Sequence, residues 1–295
     1  DDSVGGDDNK DGTASTPASG DWSGIYVQDG GLLEFNYTHL RYGGYGTDTN
    51  ASSLALYRNA QATLNNSSIS YSRNDGIHLS NNLSTDLNKL FLTNSIIQNN
   101  YFGVYTSSNY GSFQVTISGS TIRNNQEYGV YIDASNTTTI SNSEFSGNGN
   151  TGLYLSRANQ VSLNNNTFTN NAGYAAYAAY LYFQNGTYSS LAGNSGSGNT
   201  INGIALAGTI GQNTILSYMP TMAYIIPSND LTVNAGATLT IPAGQGIKGD
   251  STSSRLTVNG TLLTQGTSGA PVYFTSIKDD SVGGDDNKDG TASTP

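Results

Sequence analysis

Short runs in which two apolar residues flank a third of another kind recur along this chain; Ile77-His78-Leu79, Val130-Tyr131-Ile132 and Leu153-Tyr154-Leu155 are three of them. Period-two alternation puts the flanking pair on one face and the middle residue on the other, which predicts strands and not helices. Each run closes a longer phrase that occurs five times between Ser67 and Tyr177. The phrase starts on an apolar residue: Ile69, Ile97, Ile122, Phe145 or Phe168. Three positions later comes Ser72, Asn100, Asn125, Asn148 or Asn171, and a small residue (Gly76, Gly103, Gly129, Gly152 or Ala175) precedes the run. The starting residues are 28, 25, 23 and 23 positions apart. A unit of that length cannot bury its own apolar face and must stack on its neighbours, so the repeat predicts a solenoid. With two or three strands per unit and Asn/Gly/Ser turns between them, each unit reads as one coil of a parallel β-helix.

The recurring polar position, Ser72, Asn100, Asn125, Asn148 and Asn171, fits a stacked ladder in which each side chain bonds the next coil at a bend. Asparagine supplies both donors and acceptors there and tolerates left-handed backbone. These residues are therefore read as structural. Two coils are expected over residues 18–60 and five over 61–180. The alanines between Tyr174 and Phe183 imitate a helix, but register with earlier coils makes the stretch a strand with Ala176 and Ala178 inward. Residues 184–214 read as loop-rich, with Gly203-Ile204-Ala205-Leu206 restoring the phrase, and Met219 to Pro227 as an irregular apolar crossover. Leu231/Val233, Leu239/Ile241 and Leu256/Val258 then resume the alternation.

Ser-x-(Ile/Phe) followed by Asn-x-x-x-Gly-(Ile/Val/Leu)-x-(Ile/Leu) resembles the right-handed β-helix of the pectate-lyase-like superfamily. Gly20-Asp21-Trp22-Ser23-Gly24-Ile25, Leu239-Thr240-Ile241-Pro242-Ala243-Gly244 and Pro271-Val272-Tyr273-Phe274-Thr275-Ser276 add to the likeness. The chain is most similar to the non-catalytic modules of very large secreted bacterial and archaeal surface proteins. That resemblance covers nearly the whole chain. It implies an all-β, right-handed, single-stranded parallel β-helix of about 11 coils, continuous over residues 1–295, in an extracellular or cell-surface setting. The fold hosts lyases, hydrolases, adhesins and inert stalks, so function has to be argued from sites.

The two ends carry the largest anomaly. Residues 1–17 recur unchanged as 279–295, which predicts a tandem array whose repeating unit is residues 1–278. Identical units would then stack head to tail, each acidic segment marking a junction. The whole sequence has a net charge of −10 with only 11% charged residues. Five aspartates and one lysine of that charge belong to the duplicated segment, leaving −6 for residues 1–278. The acidic balance disfavours nucleic acid, and no apolar run is long enough for membrane insertion. Without cysteine there is no disulfide or thiol chemistry.

Within the duplicated segment, Asp7-Asp8-Asn9-Lys10-Asp11-Gly12 matches the Asp-x-Asn-x-Asp-Gly opening of a calcium loop. Oxygen-bearing side chains at alternate positions converge on one cation, and glycine permits the bend. Calcium is thus the expected cofactor, held by Asp7, Asn9, Asp11 and Thr13 and, in the second copy, by Asp285, Asn287, Asp289 and Thr291. Position twelve is Ala18 and not glutamate, so Asp1, Asp2 or Asp21 would have to complete the shell. A second candidate is the outward position of the regular coils, where Tyr105, Tyr131, Tyr154 and Tyr177 predict an exposed aromatic stripe. Such a stripe suits sugar-ring stacking, packing between chains, or cross-coil stabilisation alone. Catalysis finds little support, because the coils between residues 60 and 180 lack clustered Asp, Lys, Arg or His. His39 and His78 have no carboxylate at equivalent positions of adjacent coils, although Asp75 lies near His78 in sequence. The expected function is a calcium-stabilised structural spacer of a surface or filament protein; the alternatives are a glycan-binding adhesin module and, behind it, a polysaccharide lyase or hydrolase.

Overall fold

The structure, a computed structural model, describes residues 4–12, 15–46, 51–108, 111–133, 135–158, 160–179 and 190–290. Thr13 and Thr291, expected among the metal ligands, lie outside the described residues, as do Asp1, Asp2 and residues 180–183 of the expected strand. The chain winds through three walls, and its named strands pair in parallel. The first wall stacks eleven strands, from Ile25–Val27 to Tyr273–Ser276. The second stacks six, from Leu32–Asn36 to Gln160–Asn164, and the third seven, from His39–Arg41 to Ser195–Ser197. Two three-stranded sheets serve the later turns, beginning at Gly208–Ile210 and Thr214–Ile215. Among the described residues nine passes carry all three strands, slightly fewer than the coils expected, while the eleven first-wall strands run the whole length of the stack. The alanine-rich stretch is a strand, Tyr174–Ala179, paired so that Ala176 and Ala178 continue the columns of Leu153 and Leu155.

Met219–Pro227 is not an irregular crossover. Ala223–Ile226 is a first-wall strand in register with Gly203–Ala205 on one side and Ile247–Gly249 on the other.

Inward columns make one continuous core. In the first wall, Leu54, Ile77, Val104, Val130, Leu153, Ala176 and Ile204 lie one above another and all are buried. In the third wall, Ile69, Ile97, Ile122, Phe145 and Phe168 do the same. The Phe145 and Phe168 rings stack at 5.0 Å with 16° between their planes. Burying column after column of apolar side chains is what stabilises units too short to fold alone.

The expected ladder is present and is longer than the repeated phrase. Asn125 Oδ1 accepts the Asn100 backbone N–H (3.1 Å) and its side-chain amide (3.2 Å), and Asn148 Oδ1 serves Asn125 in the same way (3.2 and 3.0 Å). Asn171 serves Asn148, and the ladder continues to Asn199, whose amide reaches Asn202. At the other end Ser72 joins through its backbone N–H, bonded to Asn100 Oδ1 at 2.9 Å. A second ladder stands at the opposite bend of the third wall. The N–H groups of Ser67, Ser95 and Ser120 bond the hydroxyls of Ser95, Ser120 and Ser143, and Asn166 and Asn194 continue the series. Left-handed backbone is not found at the ladder asparagines. It falls one residue earlier, at Tyr71, Asn99, Asn124 and Asn170 and, beside the second ladder, at Asn66, Asn94, Asn142 and Asn165. The bend is made by one residue and the ladder by the next, so each site needs only one of asparagine's two aptitudes.

The recurring glycine is a partner of the ladder. A Cβ on Gly129 would meet the Gly152 carbonyl oxygen at 2.5 Å and Asn148 Nδ2 at 2.8 Å; one on Gly103 would meet Asn125 Nδ2 at 2.9 Å. The ladder amide of the next turn occupies the place of the missing side chain. The phrase Asn-x-x-x-Gly thus records a packing relation between turns.

The last turn is bare. Val258 and Phe274 continue the inward columns of Val233 and Ile247, yet are 41% and 48% exposed where their column neighbours are buried. The first turn is partly open as well, with Ile25, Leu33 and Phe35 only half-buried. After Ser276 the chain leaves the last strand and folds back across the outer face of the first wall. No helix among the described residues is long and apolar enough to cross a membrane.

Candidate functional site

The acidic segment takes the same local shape in both copies. In one, the Asp7 carboxylate accepts the N–H groups of Asp11 and Gly12, both at 2.9 Å, and the Asn9 amide donates to Asp11. In the other, Asp285 accepts from Asp289 (3.1 Å) and Gly290 (2.9 Å), and the Asn287 amide donates to Asp289 (2.7 Å). Carboxylates capping successive N–H groups around a left-handed glycine are what this spacing favours. In the second copy a further carboxylate joins them. Carboxylate oxygens of Asp280, Asp285 and Asp289 lie within 4.8 Å of one another. Both Asp280 oxygens and Asn287 Oδ1 are shielded from solvent with no hydrogen-bond partner. Burial, reinforced by the charges of Asp285 and Asp289, pushes the Asp280 carboxyl above its ordinary value. Asp280 is the counterpart of Asp2. Asp21, another residue considered for the shell, instead accepts the Ala18 N–H at 2.7 Å.

The second copy is anchored. Ile277 packs with Ala205, Ala223 and Ile225, and Val282 is buried beside Gly246, whose lack of a side chain admits it. Lys248 Nζ lies 2.7 Å from the Asp286 carboxylate, with neither side chain exposed. The same ammonium donates to the Gly284 carbonyl at 3.1 Å, and the Asp286 carbonyl accepts the Asn202 N–H at 2.8 Å. Burial pushes Asp286 up to about 6 against the opposing pull of Lys248. Nothing in the sequence singles out Lys248, one outward lysine in Gly246-Ile247-Lys248-Gly249.

The tyrosines form a column, but not an exposed one. Tyr131 and Tyr154 stack at 4.8 Å and 7°, Tyr154 and Tyr177 at 5.1 Å and 16°, and Tyr105 meets Tyr131 at 5.2 Å. Tyr105, Tyr131 and Tyr154 are half-buried and Tyr177 is buried, covered at its hydroxyl by the Asn229 amide. A sugar ring stacks on a free aromatic face, and these faces are taken by neighbouring rings. Burial and the neighbouring phenols and Asp133 push Tyr131 up to about 12. The column thus links successive coils through ring contacts.

His78 does have a carboxylate partner, on its own turn. Its Nδ1 lies 2.7 Å from Asp75 Oδ2 and its Nε2 2.8 Å from Ser107 Oγ. The order carboxylate, imidazole, hydroxyl is that of an activated nucleophile, but the imidazole has no exposed surface and its ring is met edge-on by Tyr105. The chain of bonds satisfies polar groups on the first wall's outer side, as buried polar groups require. Another feature is open: a groove of about 630 Å³ lined by Asp21, Trp22, Tyr37, His39, Arg41 and Tyr42, among others. Trp22 is 40% exposed and Tyr37 79%. Trp22 is held by its Nε1–H, which donates to the Arg41 carbonyl at 2.7 Å.

Parallel strands in three walls, inward apolar columns and side-chain ladders at the bends define a β-helix. The family model of the right-handed β-helix region matches residues 108–277. The chain belongs to that family. Neither the curated proteins nor the solved structures provide a match.

Proposed function

We propose that this chain is a structural repeat unit of an extracellular surface or filament-forming protein, a rigid solenoid spacer whose identical units stack head to tail, and that it is not an enzyme. The observation that carries the reading is the bare last turn taken with the duplicated segment. With residues 1–278 as the repeating unit, the next unit's Ile25 lies as far along the chain from Phe274 as Leu54 lies from Ile25. Ile25 and Leu54 are partners on adjacent turns of the first wall. The next unit's first turn would therefore fall in register on Val258 and Phe274 and cover them. Both surfaces are apolar, and an uncovered β-helix end also exposes unpaired backbone groups. The direct experiment joins two units in one chain and measures whether they form a single straight body.

We further propose calcium as the stapling ion. Asp280, Asp285 and Asp289 would hold it, with Asn287 as a further oxygen donor, an all-oxygen set suited to a hard cation; the shielded oxygens of Asp280 and Asn287 have no hydrogen-bond partner to give up. The ion would neutralise three carboxylates that otherwise repel. Calcium is expected to raise the melting temperature of the chain and to protect residues 279–290 from proteolysis, and Asp280→Asn with Asp289→Asn should abolish both effects. Calorimetry on folded protein with no calcium heat and no shift in melting would remove the ion from the account.

A second reading, glycan binding, is favoured by the groove beside Trp22 and Tyr37 and not by the tyrosine column. Its test is a glycan array on which binding is lost in Trp22→Ala.

A further inference from the structure

The duplicated segment offers a comparison inside one molecule, because the same residues occupy two surroundings. Val282 is 7% exposed and its twin Val4 is 63% exposed. Asp286 is fully buried against Lys248, and its twin Asp8 is exposed. Lys288 Nζ donates to the Gly198 carbonyl at 3.1 Å, although it is exposed like its twin Lys10. The acidic loop keeps its internal bonds in both settings, so its shape does not depend on the surface beneath it. What differs is the surface. In one place the segment lies on Asn202, Gly246 and Lys248; in the other, its valine, Val4, lines the open groove beside Trp22 and Tyr37.

We propose that the segment is a junction clamp and that its receptor is the Gly246–Lys248 face of a second copy of this chain. In a tandem run one segment serves two units. Its valine and its fourth aspartate, Val282 and Asp286 in this copy, dock on the unit before it, while its far end leads through Pro17 and Gly20 into the first strand of the unit after it. This rests on the reading that the units repeat in tandem. The receptor is specific in two respects. Gly246 leaves room for a valine, since a Cβ there would lie 2.9 Å from the Val282 methyl. Lys248 points outward and becomes a buried cation only beneath the segment, where it requires an anion, because an unpaired buried charge is strongly unfavourable. The segment supplies both, with backbone carbonyls of Gly284 and Asp286 adding polar contacts. A segment lacking either the valine or the aspartate would leave a hole or an uncompensated charge.

The test uses the full chain and a fluorescent peptide with the sequence of residues 1–17. In Val282→Asp the resident segment loses its buried valine and vacates the face. The peptide is expected to bind this variant, to bind the parent chain at least about tenfold more weakly because its face is occupied, and to lose at least about tenfold in affinity when Lys248→Met is added. If Val282→Asp does not fold, Asp286→Asn loosens the resident segment through its charge and gives the same readout. No binding to the loosened variants, or binding undiminished by Lys248→Met, would overturn the clamp. The peptide contains no turn of the β-helix, so it reports docking alone. Failure of end-to-end stacking would instead show in the geometry of two joined units, with peptide binding intact.

Discussion

Asn125→Leu is expected to destabilise the chain by roughly 2–6 kcal/mol, from two buried donors orphaned at about 1–3 kcal/mol each. The donors are the backbone N–H and the side-chain amide of Asn100, which share Asn125 Oδ1 as acceptor. Leucine keeps the branched shape of asparagine and leaves no cavity, so the loss is of hydrogen bonds, and crowding by its larger methyls adds to it. Asn150→Ala is the control: Asn150 is not a ladder residue and its amide reaches Glu127 at 3.3 Å on the partly exposed side of a turn. Thermal unfolding of the two variants followed by circular dichroism measures the difference. Equal melting temperatures would mean that the ladder contributes little to stability.

Phe168→Ala should cost about 3–5 kcal/mol, the usual range for removing a buried aromatic ring. Phe168 is fully buried, stacks on Phe145 and has Gly196 as its neighbour on the next turn. Gly196 brings no side chain of its own to the hole; Met222 Sδ, 2.6 Å from where a Gly196 Cβ would stand, is the adaptable group close by. A solenoid is stabilised mainly by contacts between adjacent turns, so the damage should remain local at first. Hydrogen exchange should show early opening at 144–146, 167–169 and 195–197, ahead of the turns near Leu54 and Ile77. Uniform loss of protection along the chain would contradict the nearest-neighbour picture.

These two sites differ in how openly the sequence displays them. The ladder is legible because its polar residue keeps a fixed distance from an apolar one through five coils. The second ladder lies in the same phrase, two residues before each apolar start, but a serine beside a turn signals the turn first. The left-handed residue preceding each ladder position varies among tyrosine, asparagine and glycine, so no single residue type marks it. Ala223-Tyr224-Ile225-Ile226 looks irregular in sequence because all four side chains are buried. Its inward face belongs to the core, and its outward face is covered by Ile277 and the returning segment. A strand covered on both sides loses its alternation. The same cover accounts for Tyr177, which periodicity places on an exposed face. Lys248 is not legible at all, since its partner Asp286 sits in a segment that has left the repeat. The calcium loop is visible as a motif, and the contribution of Asp280 only as one of several aspartates able to complete a shell.

Units that continue one another along a single axis would make a rod that lengthens by a fixed step with each copy. A second copy of residues 1–278 can be joined in register and the product imaged. About 11 strand separations of about 4.8 Å give an advance of roughly 50 Å per unit. One straight rod is expected, longer by about that amount than the single unit, with no preferred bend at the junction. Two bodies hinged at the acidic segment, at widely varying angles, would contradict it.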